Sequence, residues 1–307
     1  MAVIVIGAVF VDIKGYPYAT YLPGERNHGR IETTHGGVSR NIAEDIANLH
    51  LPTTLLSLTE DSALGREVVE KLRRQRVNTE YIQATPDGIG TWLAVFDHNG
   101  DVVASISKRP DLHPLLNILR TQGDAIFSTA DSILLEIDLD RDITEEIFSL
   151  ARKYQVPVYA AVSNMSIALD RRELIKNTEC FVCNVSEAGI LFSEDYSGKP
   201  PEEMAEILAD RIGKARIPRM VVTMGAEGAV YADITGGHGV VPGIRTTVRD
   251  TTGAGDAFFA GTAVGLTYRK TLEEACRIGT RLASSVIESQ ESVCPEFEPE
   301  ELGLGTL

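Results

Sequence analysis

The sequence predicts an α/β protein, a three-layer α/β/α domain with a mostly parallel sheet and a small β-lid. Three observations carry that expectation. Short Val- and Ile-rich runs recur between stretches of helical period, and strands separated by helices of that length imply right-handed crossovers and a parallel sheet covered on both faces. Two segments break the alternation and read as β structure without intervening helices. The chain has 307 residues, 43% apolar and 24% charged, which is the make-up of an ordinary folded chain; a single domain over 1–307 is expected.

Residues 2–11 form an apolar run whose Val-Ile-Val-Ile is strand composition, read as one buried strand. No basic residue precedes it and Asp12 and Lys14 follow at once, so it is not expected to be the core of a signal peptide. The segment at about 14–35, rich in Tyr, Gly, Pro and Thr, lacks helical period and reads as the first lid insertion. Residues 38–49 place Ile42, Ile46 and Leu49 on one helical face, 53–58 read as a strand and 65–75 as a helix. The second lid insertion, at about 88–108, contains β-patterned runs at 91–97 and 102–107 joined by His98-Asn99-Gly100-Asp101, where Asn-Gly signals a hairpin. Beyond it, strands are expected at 124–127, 132–137, 157–162, 179–183 and 219–224, with helices at 143–154, 169–176 and 201–212. A lid over the C-terminal edge of such a sheet covers the place where open α/β sheets hold ligands.

Composition excludes several partners. Forty-four acidic against 29 basic residues give a formal charge of −15, a surface that repels polyanions, so nucleic acid is not an expected partner. The most basic stretch, Lys71-Leu72-Arg73-Arg74-Gln75-Arg76, follows Glu67 and Glu70 and reads as a solvated helix face. No window approaches the ~18 consecutive apolar residues of a membrane span, so no membrane is expected and the location is expected to be cytoplasmic. Four scattered cysteines fit a reducing compartment; Cys180 and Cys183 form a C-x-x-C without the further ligands zinc needs and read as strand residues.

The most specific string is Arg249-Asp250-Thr251-Thr252-Gly253-Ala254-Gly255-Asp256-Ala257-Phe258-Phe259, followed by an apolar, small-residue helix. Gly253, Ala254 and Gly255 let backbone N–H groups approach a ligand at a helix start, where the unpaired donors and the dipole favour phosphate. Asp256 in the first turn is placed to take the proton of an attacking hydroxyl, a modest task in a transfer that depends on positioning and electrostatics. Taken alone, a Gly-rich turn with a dipole-complementing Asp explains the same string. The sequence contains no G-x-x-x-x-G-K-[ST], and Gly7 is not followed by a G-x-G-x-x-G pattern, so P-loop and dinucleotide sites are excluded. A second string, His35-Gly36-Gly37-Val38-Ser39-Arg40-Asn41, opens a helix with two glycines and an Asn one turn in, a side chain able to grip a vicinal diol.

Together these strings resemble the paired signatures of the PfkB (ribokinase-like) carbohydrate and nucleoside kinase family. The resemblance spans nearly the whole chain: Gly7 and Asp12 after the first strand, Gly36-Gly37 and Asn41, the N-x-x-E of Asn184-Val185-Ser186-Glu187, Thr223-Met224-Gly225-Ala226-Glu227-Gly228, and the D-T-T-G-A-G-D string. It implies a ribokinase-like domain that transfers phosphate from ATP to an alcohol of a small sugar or nucleoside. It gives Asp256 the part of catalytic base and Gly253, Ala254 and Gly255 that of the anion hole. Asp12, Gly36, Gly37 and Asn41 match sugar contacts, and Glu136, at a strand end, is a candidate contact to substrate or phosphate with a plain surface carboxylate as its alternative. Asn184 and Glu187 match residues that organise Mg²⁺ through water, and Thr223, Gly225 and Gly228 match the ATP loop. Asp250 and Thr252 match positions that bind a monovalent cation, K⁺, in some members. The resemblance also allows a homodimer through the lid.

The acceptor is narrowed by one motif. Gly36-Gly37-Val38-Ser39-Arg40-Asn41 is similar to the G-G-V-[GA]-R-N of pseudouridine kinases, whereas ribokinases more often carry G-G-K-G-A-N. The expected activity is phosphorylation of a ribosyl nucleoside, pseudouridine first. A pentose or hexose kinase is the alternative, and a catalytically silent sugar or nucleoside sensor a second one.

Overall fold

The computed structural model describes residues 2–97 and 102–305. The apolar start of the chain divides in two. Strand β1 (Val3–Ile6) is buried on both faces, the chain breaks at 7–9, and β2 (Phe10–Pro17) leaves the body for a separate sheet. The expected single strand over 2–11 is therefore two, because a Cβ at Gly7 would be driven into the side chains of Ser39 and Glu136 and only glycine passes there. Strand β3 (Gly29–Gly36) returns antiparallel to β2, and helix α1 (Val38–Ala47) starts at Gly37, whose φ of 102° suits glycine. Strand β4 (Thr53–Thr59), helix α2 (Ala63–Arg74) and strand β5 (Ile82–Ala84) follow; α2 buries Val68 and Leu72 and leaves most of its basic residues to solvent. Strands β6 (Gly90–Phe96) and β7 (Val102–Lys108) pair antiparallel, and the expected turn at 98–101 lies outside the described residues.

After the lid, α3 (Leu115–Phe127) corrects the strand expected at 124–127. Asp124-Ala125-Ile126-Phe127 is the last turn of a helix whose Leu115, Leu116, Leu119 and Ile126 face the core, and four residues are too few to show that period. The remainder is β8 (Ser132–Glu136), α4 (Arg141–Tyr154), β9 (Val158–Ala161), α5 (Met165–Ala168), α6 (Arg172–Ile175), β10 (Cys180–Asn184), α7 (Val185–Phe192), α8 (Pro201–Ala215), β11 (Arg219–Thr223), β12 (Gly228–Asp233), β13 (His238–Pro242), α9 (Ala254–Thr267) and α10 (Leu272–Ile287). The helix expected over 169–176 is a 3₁₀ turn followed by α6.

The main sheet runs β13-β12-β11-β10-β9-β8-β1-β4-β5. It is parallel from β11 to β5, and β12 and β13 add an antiparallel edge. Alternation along β1 sends Ile4 and Ile6 into the core under α3, α4 and α8, and Val3 and Val5 into the core under α1, α9 and α10. Both faces are thus covered, as the unbroken apolar strands require. The second sheet, β3-β2-β6-β7, is the lid. Cys180 and Cys183 are buried, unpaired residues of β10, as expected. Among the described residues no helix is long and apolar enough to cross a membrane.

Helices α9 and α10 pack backbone to backbone. A Cβ on Gly261 would lie 2.9 Å from the Gly279 Cα, and one on Gly265 would lie 2.8 Å from the Ala275 Cα. This closeness is why the sequence of α9 is so rich in small residues.

Candidate active site

Two cavities meet at the start of α9. The first, of ≈ 520 Å³, lies between the lid and the C-terminal edge of the sheet; the lid contributes Phe10, Asp12, Trp92 and Ser107, and the body contributes Gly37, Asn41, Glu136 and Asp256. The second, of ≈ 650 Å³, holds Thr223, Gly225 and Gly228 on one side and the apolar Ile244, Val248, Phe258 and Ile287 on others. The segment 251–256 is the wall between them: Thr252, Gly253 and Asp256 line the first cavity, and Thr251, Ala254 and Gly255 the second.

The two strings that sequence placed far apart converge here. Asn41 Nδ2 donates to Asp256 Oδ2 at 2.6 Å. Burial pushes the Asp256 carboxyl up to about 6, against the pull of the Asn41 hydrogen bond and the Arg40 charge. At neutral pH it is then ionised with an unusually high proton affinity for a carboxylate, the property a general base needs. Asp12 sits across the cavity on β2, raised from its ordinary value by burial. Gly36 is required beside it, since a Cβ there would lie 2.5 Å from the Asp12 carboxylate oxygens.

Gly253 caps α9 with φ 84°, and a Cβ on it would be driven into the Ser292 carbonyl. Ala254 N–H donates to the Thr251 carbonyl at 3.2 Å, while the amides of Gly255 and Asp256 belong to the first turn, where no preceding helical carbonyl serves them. A Cβ on Gly255 would meet nothing within 4 Å, so no protein contact demands glycine there, and the residue faces the apolar cavity.

Glu136 is buried, which removes the surface-carboxylate alternative. It accepts hydrogen bonds from the Ser39 hydroxyl, from Ser39 N–H at 3.2 Å and from Ala8 N–H at 3.4 Å. Burial, with Asp138 nearby, raises it to about 7. Next to it Asp138 accepts from Ser163 Oγ at 2.8 Å and from Arg109 Nη1 at 3.2 Å, and Arg109 lines the cavity. Ser39, Arg109 and Ser163 carry no motif of their own. Ser39 had one available signal, its departure from Gly or Ala at that place in the G-G-V-[GA]-R-N pattern.

Asn184 and Glu187 lie outside both cavities and form the capping box of α7, Asn184 Oδ1 accepting from Glu187 N–H at 2.9 Å and Glu187 Oε2 from Asn184 N–H at 2.8 Å. The cap uses one Glu187 oxygen, and the other is available to a water on Mg²⁺, an ion that keeps most of its hydration shell. Among the described residues no cluster of three or more His, Cys, Asp or Glu side chains is placed to hold a metal ion directly. Asp250 Oδ1 accepts from Thr252 N–H at 2.8 Å, and both residues line a cavity of ≈ 310 Å³ shared with Ser292, Lys14 and Lys71. Its carboxylate and hydroxyl oxygens suit a monovalent cation, and the two ammonium groups oppose one.

Residues 2–296 match the family model described as pfkB family carbohydrate kinase. The chain is 35% identical over 298 residues to the guanosine-inosine kinase of Exiguobacterium acetylicum, covering 95% of this chain and 97% of that protein. It is 26% identical over 262 residues to the pseudouridine kinase of Escherichia coli K12, covering 85% and 82% of the two chains. Its fold is similar to that of Arabidopsis thaliana ribokinase, solved with ribose and ATP, at a TM-score of 0.83 and 21% identity over 98% of this chain and 97% of that one.

Proposed function

Because the chain belongs to the pfkB family of carbohydrate kinases, and is thus an ATP-using kinase of a sugar or nucleoside, we propose that it phosphorylates the 5′-hydroxyl of a purine ribonucleoside, guanosine or inosine, with Asp256 as base. The observation that carries this reading is the shared wall: one helix start presents Asp256 to the lidded cavity and Gly255 to the apolar one. An acceptor hydroxyl beside Asp256 and a phosphoryl donor in the apolar cavity then face each other across the first-turn amides of α9.

Asp12 and Asn41 hold the ribose hydroxyls, and the base lies among Phe10, Trp92 and Leu139. Asp256 takes the proton of the attacking oxygen as its bond to phosphorus forms, and the leaving bond to the nucleoside diphosphate breaks on the far side. The N–H groups of Gly253, Ala254 and Gly255 carry the charge of the transferring phosphoryl; for Ala254 this requires release of the Thr251 carbonyl. ATP stacks its base against Ile244, Val248 and Ile287 and sets its phosphates by Thr223, Gly225 and Gly228. Mg²⁺, when bound, neutralises the phosphate charge, with Glu187 holding its water. K⁺ at Asp250 and Thr252 is part of the same proposal.

Similarity at 35% over nearly all of both chains supports guanosine and inosine. The string Gly36 to Asn41 favours pseudouridine as the second reading. The exposed face of the lid, with Ile31, Leu93 and Ile106 in the open, supports a homodimer through it. ATP consumption measured with guanosine, inosine, pseudouridine, uridine, adenosine and ribose tests the acceptor. Guanosine or inosine is expected to give a kcat/KM at least ~10-fold above the rest, a margin of about 1.4 kcal/mol. A matching lead for pseudouridine moves the assignment to the second reading, and a lead for ribose overturns the nucleoside assignment altogether.

A further inference from the structure

We propose that Arg40, which lines neither cavity, is a positioning residue of the reaction: its guanidinium fixes which way round the Asn41 amide sits, and so holds the Asp256 carboxylate in one orientation. The proposal rests on the reading of Asp256 as base.

An Asn side chain fits its space almost equally well with oxygen and nitrogen exchanged, so its partners decide. Here Nδ2 donates to Asp256 Oδ2 at 2.6 Å, and Oδ1 accepts from Arg40 Nη2 and from Ser292 Oγ at 3.3 Å. Arginine has donors and no acceptor. A flipped amide would turn its NH₂ toward the guanidinium and its oxygen toward the Asp256 carboxylate, two repulsions in place of two hydrogen bonds.

Arg40 is itself immobilised. Its side chain is 1% exposed, Nη1 pairs with Glu44 Oε1 at 2.5 Å one helical turn on, and Nε donates to the Gly36 carbonyl at 3.1 Å. Nη2 also reaches Ser292 Oγ at 3.2 Å, and the Ser292 carbonyl is the group a Cβ on Gly253 would strike. One buried cation thereby joins the base of the lid at Gly36, the acceptor contact at Asn41 and the loop packed against Gly253. A buried arginine with a fully buried acidic partner costs desolvation that a packed apolar pair would not, and the hydrogen bond to Asn41 gives that cost a function.

The charges bearing on Asp256 are Arg40 and Asp45 from α1, Asp12 from the lid and Glu136 from the end of β8; Arg40 is the positive one. The test uses the full chain with two variants. Arg40→Met with Glu44→Met removes both charges, so that no unpaired buried acid prevents folding. Arg40→Lys keeps a donor-only cation.

Thermal melting, kcat and the acceptor KM are measured from about pH 5 to pH 9, the range that brackets a carboxylate base. The double variant is expected to melt as one cooperative transition, to lose ~10²-fold in kcat, and to show its acidic limb at higher pH than the parent. Arg40→Lys is expected to keep the parent limb with a smaller loss. An unmoved acidic limb in the double variant, or a loss of activity accounted for by the unfolded fraction, overturns the proposal. Asp256→Asn is measured in parallel: full turnover there would remove the base itself, a separate failure from one confined to Arg40.

Discussion

Asp256→Asn is expected to lose at least ~10³-fold in kcat, at the upper part of the range for removing a general base. Asn occupies the same volume and still meets Asn41, so acceptor affinity, read by calorimetry or by thermal shift with nucleoside, is expected to stay within about threefold of the parent. The pH dependence has a definite sign. Burial raises the folded carboxyl to about 6; below that value it is protonated and the neutral acid is too weakly basic to take the hydroxyl proton, so kcat/KM falls on the acid side and is flat above. A parent protein whose kcat/KM stays level down to pH of about 4, an unperturbed carboxylate's range, or a variant with undiminished turnover, contradicts the role given to Asp256.

Gly253→Ala is expected to be nearly as damaging by a different route. The residue has φ 84°, and its Cβ would be driven into the carbonyl of Ser292. The left-handed conformation alone costs a residue with a Cβ roughly 1–2 kcal/mol, and the clash must move either the 292 segment or the start of α9. Displacing the first-turn amides removes donors from the developing phosphoryl charge, for which a loss of ~10²–10³-fold in kcat is the scale. Gly255→Ala supplies the contrast. A Cβ there meets no protein atom within 4 Å, and within a helix Ala is better than Gly by up to ~1 kcal/mol. Its melting temperature is expected to hold or rise while its KM for ATP increases, because the new methyl group stands in the apolar cavity proposed to hold the nucleotide. Equal melting temperatures and equal kinetics for the two variants would remove the distinction drawn between these glycines.

The alternation of strands and helices was legible because the central parallel strands are buried on both faces and several helices carry an apolar stripe, as in Ile42 and Ile46 of α1. The lid was legible as a break in that alternation. What failed was local and short: residues 124–127 are too few to distinguish the end of a helix from a strand, and the antiparallel edge β12–β13 follows from pairing partners rather than from its own pattern. The site divides the same way. Asp256 and Gly253 were readable as candidates because a Gly-rich helix start with an acid in its first turn is one contiguous string, and Asn41 because it stands in a second string at the start of α1. The partners that orient them were not, because Ser292 reaches Arg40 across 252 positions of sequence and Ser163 reaches Asp138 only through the fold. Arg40 and Glu44 form an i, i+4 charge pair, a spacing usual on solvent-facing helix surfaces, so the sequence did not mark the pair as buried.

Helix α9 begins at the wall between the cavities and continues into the middle of the molecule, with Ala257 through Leu266 buried and its backbone pressed against α10. The turn that carries Gly255 and Asp256 is therefore one end of a helix enclosed from Ala257 to Leu266. Local opening draws on weakly packed elements such as the lid, so amide exchange at α9 tracks unfolding of the whole domain. Inactivation by warming is then expected to coincide with loss of the fold, read by comparing thermal inactivation with thermal melting.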